Sequence, residues 1–173
     1  MNLLQHPKIF SAKTGNADSI NDALFNGFQQ YMDDDAIKRT HFFDGRYENI
    51  YIDESKIPEK RLILEQVINF ASQILNKPKS ELKAGLWFNG MGPGHSTTAH
   101  THDDDDELLS AVYYVRTPPL SGQLVMRHKQ FTTTVAPEAG MFAFFPPDII
   151  HEVTENKSQH MRLSLGINIG PNK

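Results

Sequence analysis

Cysteine is absent from the 173 residues, which removes disulfide frameworks, thiolate zinc sites, iron–sulfur clusters and cysteine nucleophiles together. A bound metal would have to take histidine, carboxylate or carbonyl ligands. Long apolar runs are also missing: no stretch approaches the ~20 residues of a bilayer span, so no membrane partner is expected. There is no clustered basic run either, and with a net charge of −4 the chain lacks the electrostatic footprint of a nucleic-acid binder. The opening segment Met1 to Lys8 has no basic leader followed by an apolar core, and the expectation is a cytoplasmic protein. Histidine, by contrast, is plentiful, with eight residues, and an apolar fraction of 39% suffices for one compact domain.

Helical periodicity is confined to the first 80 residues. A first helix is predicted after Asn16–Asp18, with Ile20, Leu24, Phe28 and Tyr31 on one face. A second is predicted from Pro58, with Ile63, Val67, Phe70, Ala71 and Ile74 on a buried stripe, ending at Lys77-Pro78. Phe42–Tyr51 between them reads as extended. From Glu81 onward the chain reads as short strands: Leu82–Asn89, Thr98–Asp104, Leu108–Arg116, Gln123–His128, Phe131–Val135, Met141–Phe145, His151–Thr154 and Met161–Ile169. They are broken by Gly92-Pro93-Gly94, Pro118-Pro119, Ser121-Gly122, Pro137 to Gly140 and Pro146-Pro147. This is the pattern of a mainly β, single-domain double-stranded β-helix, a cupin-like jelly roll. Residues 1–80 would form a helical and extended support, and residues 81–173 the core.

The chemistry concentrates in His100-Thr101-His102-Asp103-Asp104-Asp105-Asp106-Glu107. Alternate side chains of an extended segment share a face, so His100, His102 and Asp104 point one way and can present ligands to one ion. A distant third ligand would complete a facial triad of the kind that holds non-haem Fe(II) with open positions, and His151, after an apolar strand and a proline turn, is the best candidate. Eleven residues later, Arg162-Leu163-Ser164 places a guanidinium and a hydroxyl on one face of the last strand. A fixed cation inside a small barrel needs an anion, and its planar fork suits a carboxylate.

His102-x-Asp104, Ser110-Ala-Val-Tyr-Tyr-Val, Ser121-Gly122-x-Leu124, Phe145-Pro146, His151-Glu-Val and Arg162-Leu-Ser164 occur in that order. In this ordered combination the chain resembles the Fe(II)- and 2-oxoglutarate-dependent oxygenases, above all the prolyl-hydroxylase-like branch and its small bacterial relatives. The resemblance covers about residues 82–170. It implies iron ligation by His102, Asp104 and His151, with Fe(II), 2-oxoglutarate as cosubstrate and O2. Arg162 would pair with the far carboxylate of 2-oxoglutarate, with Ser164, Tyr114 and, at lower rank, Asn89 beside it. The implied reaction is hydroxylation of a small-molecule or peptidyl substrate with release of succinate and CO2; a homodimer is left open. Tyr47–Tyr51, Gly90–Thr98 and Thr117–Leu120 are the expected walls of the substrate entrance.

Two departures stand out. Relatives with this tyrosine motif often carry His-x-His, and His100 makes both registers available here; counting back from Ser110 without a gap selects His102 and Asp104. Ala111 also stands where a glycine is usual. The chief rival is a cupin-type metal-dependent dioxygenase, isomerase or small-molecule binder with ligands His100, His102, Glu107 and His151, a reading that gives Arg162 no task. A metallo-β-lactamase-type hydrolase would want histidine at Asp105 and a longer chain. The bland readings are a solvated acidic loop at Asp103–Glu107 and a structural ion pair between that loop and Arg162.

Overall fold

The computed structural model describes residues 2–3, 6, 8–102 and 106–173. In chain order the elements are β1 (Asn2–Leu3), β2 (Phe10–Lys13), α1 (Ala17–Tyr31), β3 (Lys38–Phe43), β4 (Arg46–Tyr51), α2 (Lys60–Leu75), β5 (Leu82–Met91), β6 (Thr97–His100), β7 (Leu109–Arg116), β8 (Leu124–His128), β9 (Phe131–Val135), β10 (Met141–Phe145), β11 (Ile150–Val153) and β12 (Arg162–Pro171). The strands form two antiparallel sheets. One has eight strands in the order β1-β2-β10-β7-β12-β5-β4-β3, the other four in the order β6-β11-β8-β9. The expected jelly roll is therefore present.

Side-chain alternation sorts the large sheet into two faces. Leu163, Leu165, Ile167 and Ile169 of β12, with Phe142 and Phe144 of β10, face the helices and join one core with Leu24, Phe28, Ile63, Val67 and Ala71. Helix α1 lies over β7 and α2 over β5, as their apolar stripes require. The opposite face, with Tyr114, Ala143 and Phe145, meets Leu124 and Met126 of the small sheet in a second core. Adjacent tyrosines are thereby split. Tyr113 points to the helix side, where its hydroxyl donates to Asn21 Oδ1 at 2.7 Å, and burial pushes it up to about 12. Tyr114 points into the barrel.

Four expectations need correction. The segment Phe42–Tyr51 is a hairpin, because Asp44 and Gly45 both take left-handed φ (49° and 77°) and reverse the chain. Two strands precede α1, and β2 extends the sheet by pairing with β10. The second helix begins at Lys60 rather than Pro58, the residues before it forming turns that close on Asp53 and Ile57 carbonyls. Strand β6 ends at His100, and the rest of the predicted Thr98–Asp104 strand includes Asp103 and Asp104, which lie outside the described residues.

Candidate metal centre

Strands β6 and β11 pair so that His100 stands opposite His151. His102, two residues on, is held by its backbone N–H donating to the Pro147 carbonyl at 2.8 Å. The three histidines converge at the barrel mouth, each offering a ligand atom within 4.8 Å of the others. Their ring centroids lie 4.2 Å (His100–His151) and 4.9 Å (His102 to each of the others) apart.

Hydrogen bonds assign the tautomers. A carbonyl can only accept, so His100 Nδ1, 2.7 Å from the Thr98 carbonyl, and His151 Nδ1, 3.0 Å from the Ile149 carbonyl, both carry the proton. Their Nε2 atoms are left as free lone pairs. His102 Nδ1 faces Glu107 Oε1 and Ser110 Oγ, each at 3.4 Å, which leaves Nε2 on the triad side. Burial lowers the pKa of His100, and it lowers that of His151 to about 3 with added repulsion from His100 and His102. The rings of His100 and His151 are therefore neutral near pH 7, the state in which imidazole ligates metal.

The triad is fastened from two sides. Glu48 of β4 accepts from both the Thr98 N–H and the Thr98 hydroxyl, each at 2.9 Å, which grips the strand that carries His100. Arg46 donates to Asn89 Oδ1 (2.9 Å), Gly90 O (3.2 Å), Ser96 O (2.7 Å) and Thr97 Oγ1 (3.3 Å), tying the β3–β4 hairpin to the β5–β6 turn. Trp87 leans against Gly166, where any Cβ would fall inside the indole, and its ring lies 5.7 Å from that of His102.

Behind the histidines, Arg162, Ser164 and Gly166 face the interior. Ser164 stands opposite Asn89 on one side and Tyr114 on the other, and Arg162 opposite Met91. Arg162 is 1% exposed. Its Nε and Nη2 find no hydrogen-bond partner, nor does the Tyr114 hydroxyl, while Nη1 rests 3.7 Å from Met91 Sδ. The guanidinium carbon sits 5.4 Å from the Tyr114 ring centroid. Burial lowers the Arg162 pKa and raises that of Tyr114 to about 12. Among the described residues no carboxylate pairs with Arg162, which disposes of the structural ion pair with Asp106 or Glu107.

Residues 86–170 match the family model described as the 2OG-Fe(II) oxygenase superfamily. Over that stretch, just under half of its length, the chain is similar to this superfamily. Among solved structures, a Pseudomonas putida prolyl-4-hydroxylase superposes with a TM-score of 0.76 at 21% identity, covering 96% of this chain and 94% of that one. A 2OG-Fe(II) oxygenase-family oxidoreductase from Burkholderia pseudomallei gives 0.68 at 15% identity over 94% and 85%. A Trichoplax adhaerens prolyl hydroxylase, solved with a hypoxia-inducible-factor peptide fragment, gives 0.66 at 11% over 94% and 83%. At these identities the structures speak for the fold. No curated protein matches by sequence. The described residues fit what the superfamily's name implies: three histidines offer ligand atoms within 4.8 Å of one another, and a buried guanidinium beside the Tyr114 ring has no carboxylate partner among the described residues.

The structure brings together His102 and His151 and adds His100, which the sequence offered as a ligand in the His-x-His register and the cupin-type reading. The signal was present in His100-x-His102. Asp104, the expected carboxylate ligand, lies outside the described residues. Both ends of the Asn89 amide are engaged within the protein, by Arg46 and by Thr97 Oγ1 at 2.9 Å. The mouth is a pocket of about 490 Å³ lined in part by His41, Glu48, Asn49, Tyr51, Trp87 and Glu107. Of the expected entrance walls, Thr117–Leu120 does not belong: it lines a separate cleft of about 410 Å³ with Ala136, Pro137 and Glu155. None of the three histidines lines that cleft. No described helix is long and apolar enough to cross a membrane.

Proposed function

We propose that this protein is a mononuclear Fe(II)- and 2-oxoglutarate-dependent oxygenase that hydroxylates a small-molecule or peptidyl substrate, with succinate and CO2 as coproducts. The observation that carries this reading is Arg162, a buried cation that no carboxylate pairs with among the described residues, on the strand whose Ser164 and Gly166 line the cavity shared with the histidines. Iron and 2-oxoglutarate, when bound, supply the capacity to activate O2.

The protein's own part is placement. His102, Asp104 and His151 would hold the metal, as the resemblance implies, with His100 against them as the alternative ligand; Nδ1 contacts fix each of the three rings in advance. Arg162, with the Tyr114 hydroxyl as a further donor and Ser164 alongside, would hold the distal carboxylate of 2-oxoglutarate as a fork. Val112, Leu124, Phe145 and Val153 keep that interior apolar and poor in water. Substrate would approach from the Tyr51–Trp87 side, where the mouth opens.

Anaerobic titration of 2-oxoglutarate into the Fe(II)-loaded protein tests the assignment through the weak visible charge-transfer band of a chelated keto acid. Absence of the band with iron shown to be bound would favour the cupin-type reading. The ligand set is tested in parallel with Co(II): His102→Ala, Asp104→Ala and His151→Ala should each lose most of the affinity and His100→Ala should retain most of it. Loss in His100→Ala with retention in Asp104→Ala would make His100, His102 and His151 the ligands.

A further inference from the structure

Among the described residues Leu120 is the most exposed large apolar side chain, at 78%. A lone surface leucine needs no explanation in itself, but this one also sits where the backbone disfavours it. Residues Pro118 to Ser121 form a four-residue turn, closed by the Ser121 N–H donating to the Pro118 carbonyl at 3.1 Å. Pro119 suits the second position of such a turn, whereas a positive φ at the third selects glycine or asparagine. Leu120 occupies that third position at φ 63°. Neither the turn nor the core therefore accounts for a leucine here.

The turn is also held firmly. The Leu120 carbonyl accepts from the Lys157 N–H at 2.9 Å. Gly122, at φ 99°, lies so close to Thr154 that a Cβ would fall 2.3 Å from its carbonyl oxygen. The leucine is thus presented on a prearranged support, which lowers the entropic cost of association. Beside it opens the cleft of about 410 Å³, walled by Pro118, Pro119 and Pro137. Glu155 and Lys157 line the same cleft; both are exposed and neither joins an ion pair among the described residues.

An apolar knob, an apolar socket and one charge of each sign on a single patch make a surface that complements itself. That is what an isologous two-fold contact requires. We propose that the protein forms a two-fold homodimer through this patch, with Leu120 of each copy seated in the proline-walled cleft of the other and Glu155 facing Lys157 of the partner subunit. The cleft has no lining residue in common with the barrel-mouth pocket or the cavity behind it, so the mouth of each copy stays open and the dimer is independent of the metal assignment. One leucine and three prolines a side make a contact below the roughly 1,200–2,000 Å² of stable complexes, so dimer and monomer exchange with concentration.

Sedimentation velocity of the whole chain over a concentration series tests the proposal. The unaltered protein should pass from monomer to dimer as concentration rises. Leu120→Gly gives the turn the residue it prefers, so it should fold and melt no lower than the unaltered protein. It should nevertheless raise the dissociation constant roughly 100-fold or more, because burying one leucine is worth about tenfold and a two-fold contact loses two. Glu155→Lys sets like charges against each other and should weaken the dimer severalfold; adding Lys157→Glu should restore it. A chain that stays monomeric at every concentration overturns the proposal and leaves the cleft to some other occupant. Association of Leu120→Gly equal to that of the unaltered protein overturns it too, since the dimer would then lie elsewhere. So does a Glu155→Lys loss that Lys157→Glu fails to recover.

Discussion

Replacing Arg162 by methionine separates a cation kept for a ligand from one kept for the fold. A buried charge with two unpartnered nitrogens weighs against the folded state, and exchanging buried charge for apolar volume is often neutral or stabilising by ~1–4 kcal/mol. The metal-loaded but ligand-free variant should therefore melt at or above the temperature of the unaltered protein. Adding 2-oxoglutarate at 100 times its Kd stabilises a single site by about 2.7 kcal/mol. In a domain of this size each kcal/mol moves Tm by about 2–4 °C, so the unaltered protein should gain about 5–11 °C. The methionine variant should gain almost nothing. Differential scanning fluorimetry of the Mn(II)-loaded proteins, with and without 2-oxoglutarate, reads both arms, and equal Co(II) affinity confirms an intact metal site. A variant that melts several degrees lower yet keeps the 2-oxoglutarate shift would refute the argument, since Arg162 would then serve packing alone.

Gly166→Ala puts a methyl group into the Trp87 indole and should destabilise the protein by about 1–3 kcal/mol, the usual effect of overpacking, measured by urea unfolding. His6 is 5% exposed, and its Nε2 lies 3.0 Å from His128 Nδ1. Burial first, then His128, lowers its pKa below the ordinary 6.5. A group depressed in the folded state binds fewer protons there than in the unfolded chain, so its contribution is intact above pH 6.5 and declines as pH falls below that value. His6→Phe should make the fall in stability between pH 6.5 and 5 shallower; an unchanged slope would show that His6 titrates as it does in the unfolded chain.

Local chemistry explains which parts of the fold were legible. Strands Phe131–Val135 and Met141–Phe145 end at the expected residues because Gly140 and Pro146-Pro147 punctuate them sharply. The β3–β4 hairpin escaped notice because its turn is only Asp44-Gly45, hidden in a run that also reads as one extended strand. Strands β1 and β2 are too short for alternation to show, and β2 is fixed by its partner β10, more than 120 positions away in sequence. The site divides the same way. Arg162, Tyr114 and Ser164 share a face by strand parity, so their convergence could be read from spacing. Choosing between His100 and Asp104 could not, because both lie on one face with His102; the tertiary fold sets His100 opposite His151, while Asp104 lies outside the described residues. The Arg46 clamp spans 43 to 51 residues and leaves no local trace.

Trp87 is the chain's one tryptophan, and its ring lies 5.7 Å from His102 and 6.3 Å from Tyr51 at the mouth of the barrel. All intrinsic indole emission thus originates beside the triad. An open-shell ion such as Co(II) at Nε2 of His102 would quench it, whereas Zn(II), with filled d orbitals, would alter it far less. The protein is its own optical gauge: occupancy of the centre can be followed in unlabelled material, at micromolar concentration and on the stopped-flow timescale, with no background from a second fluorophore of the same kind.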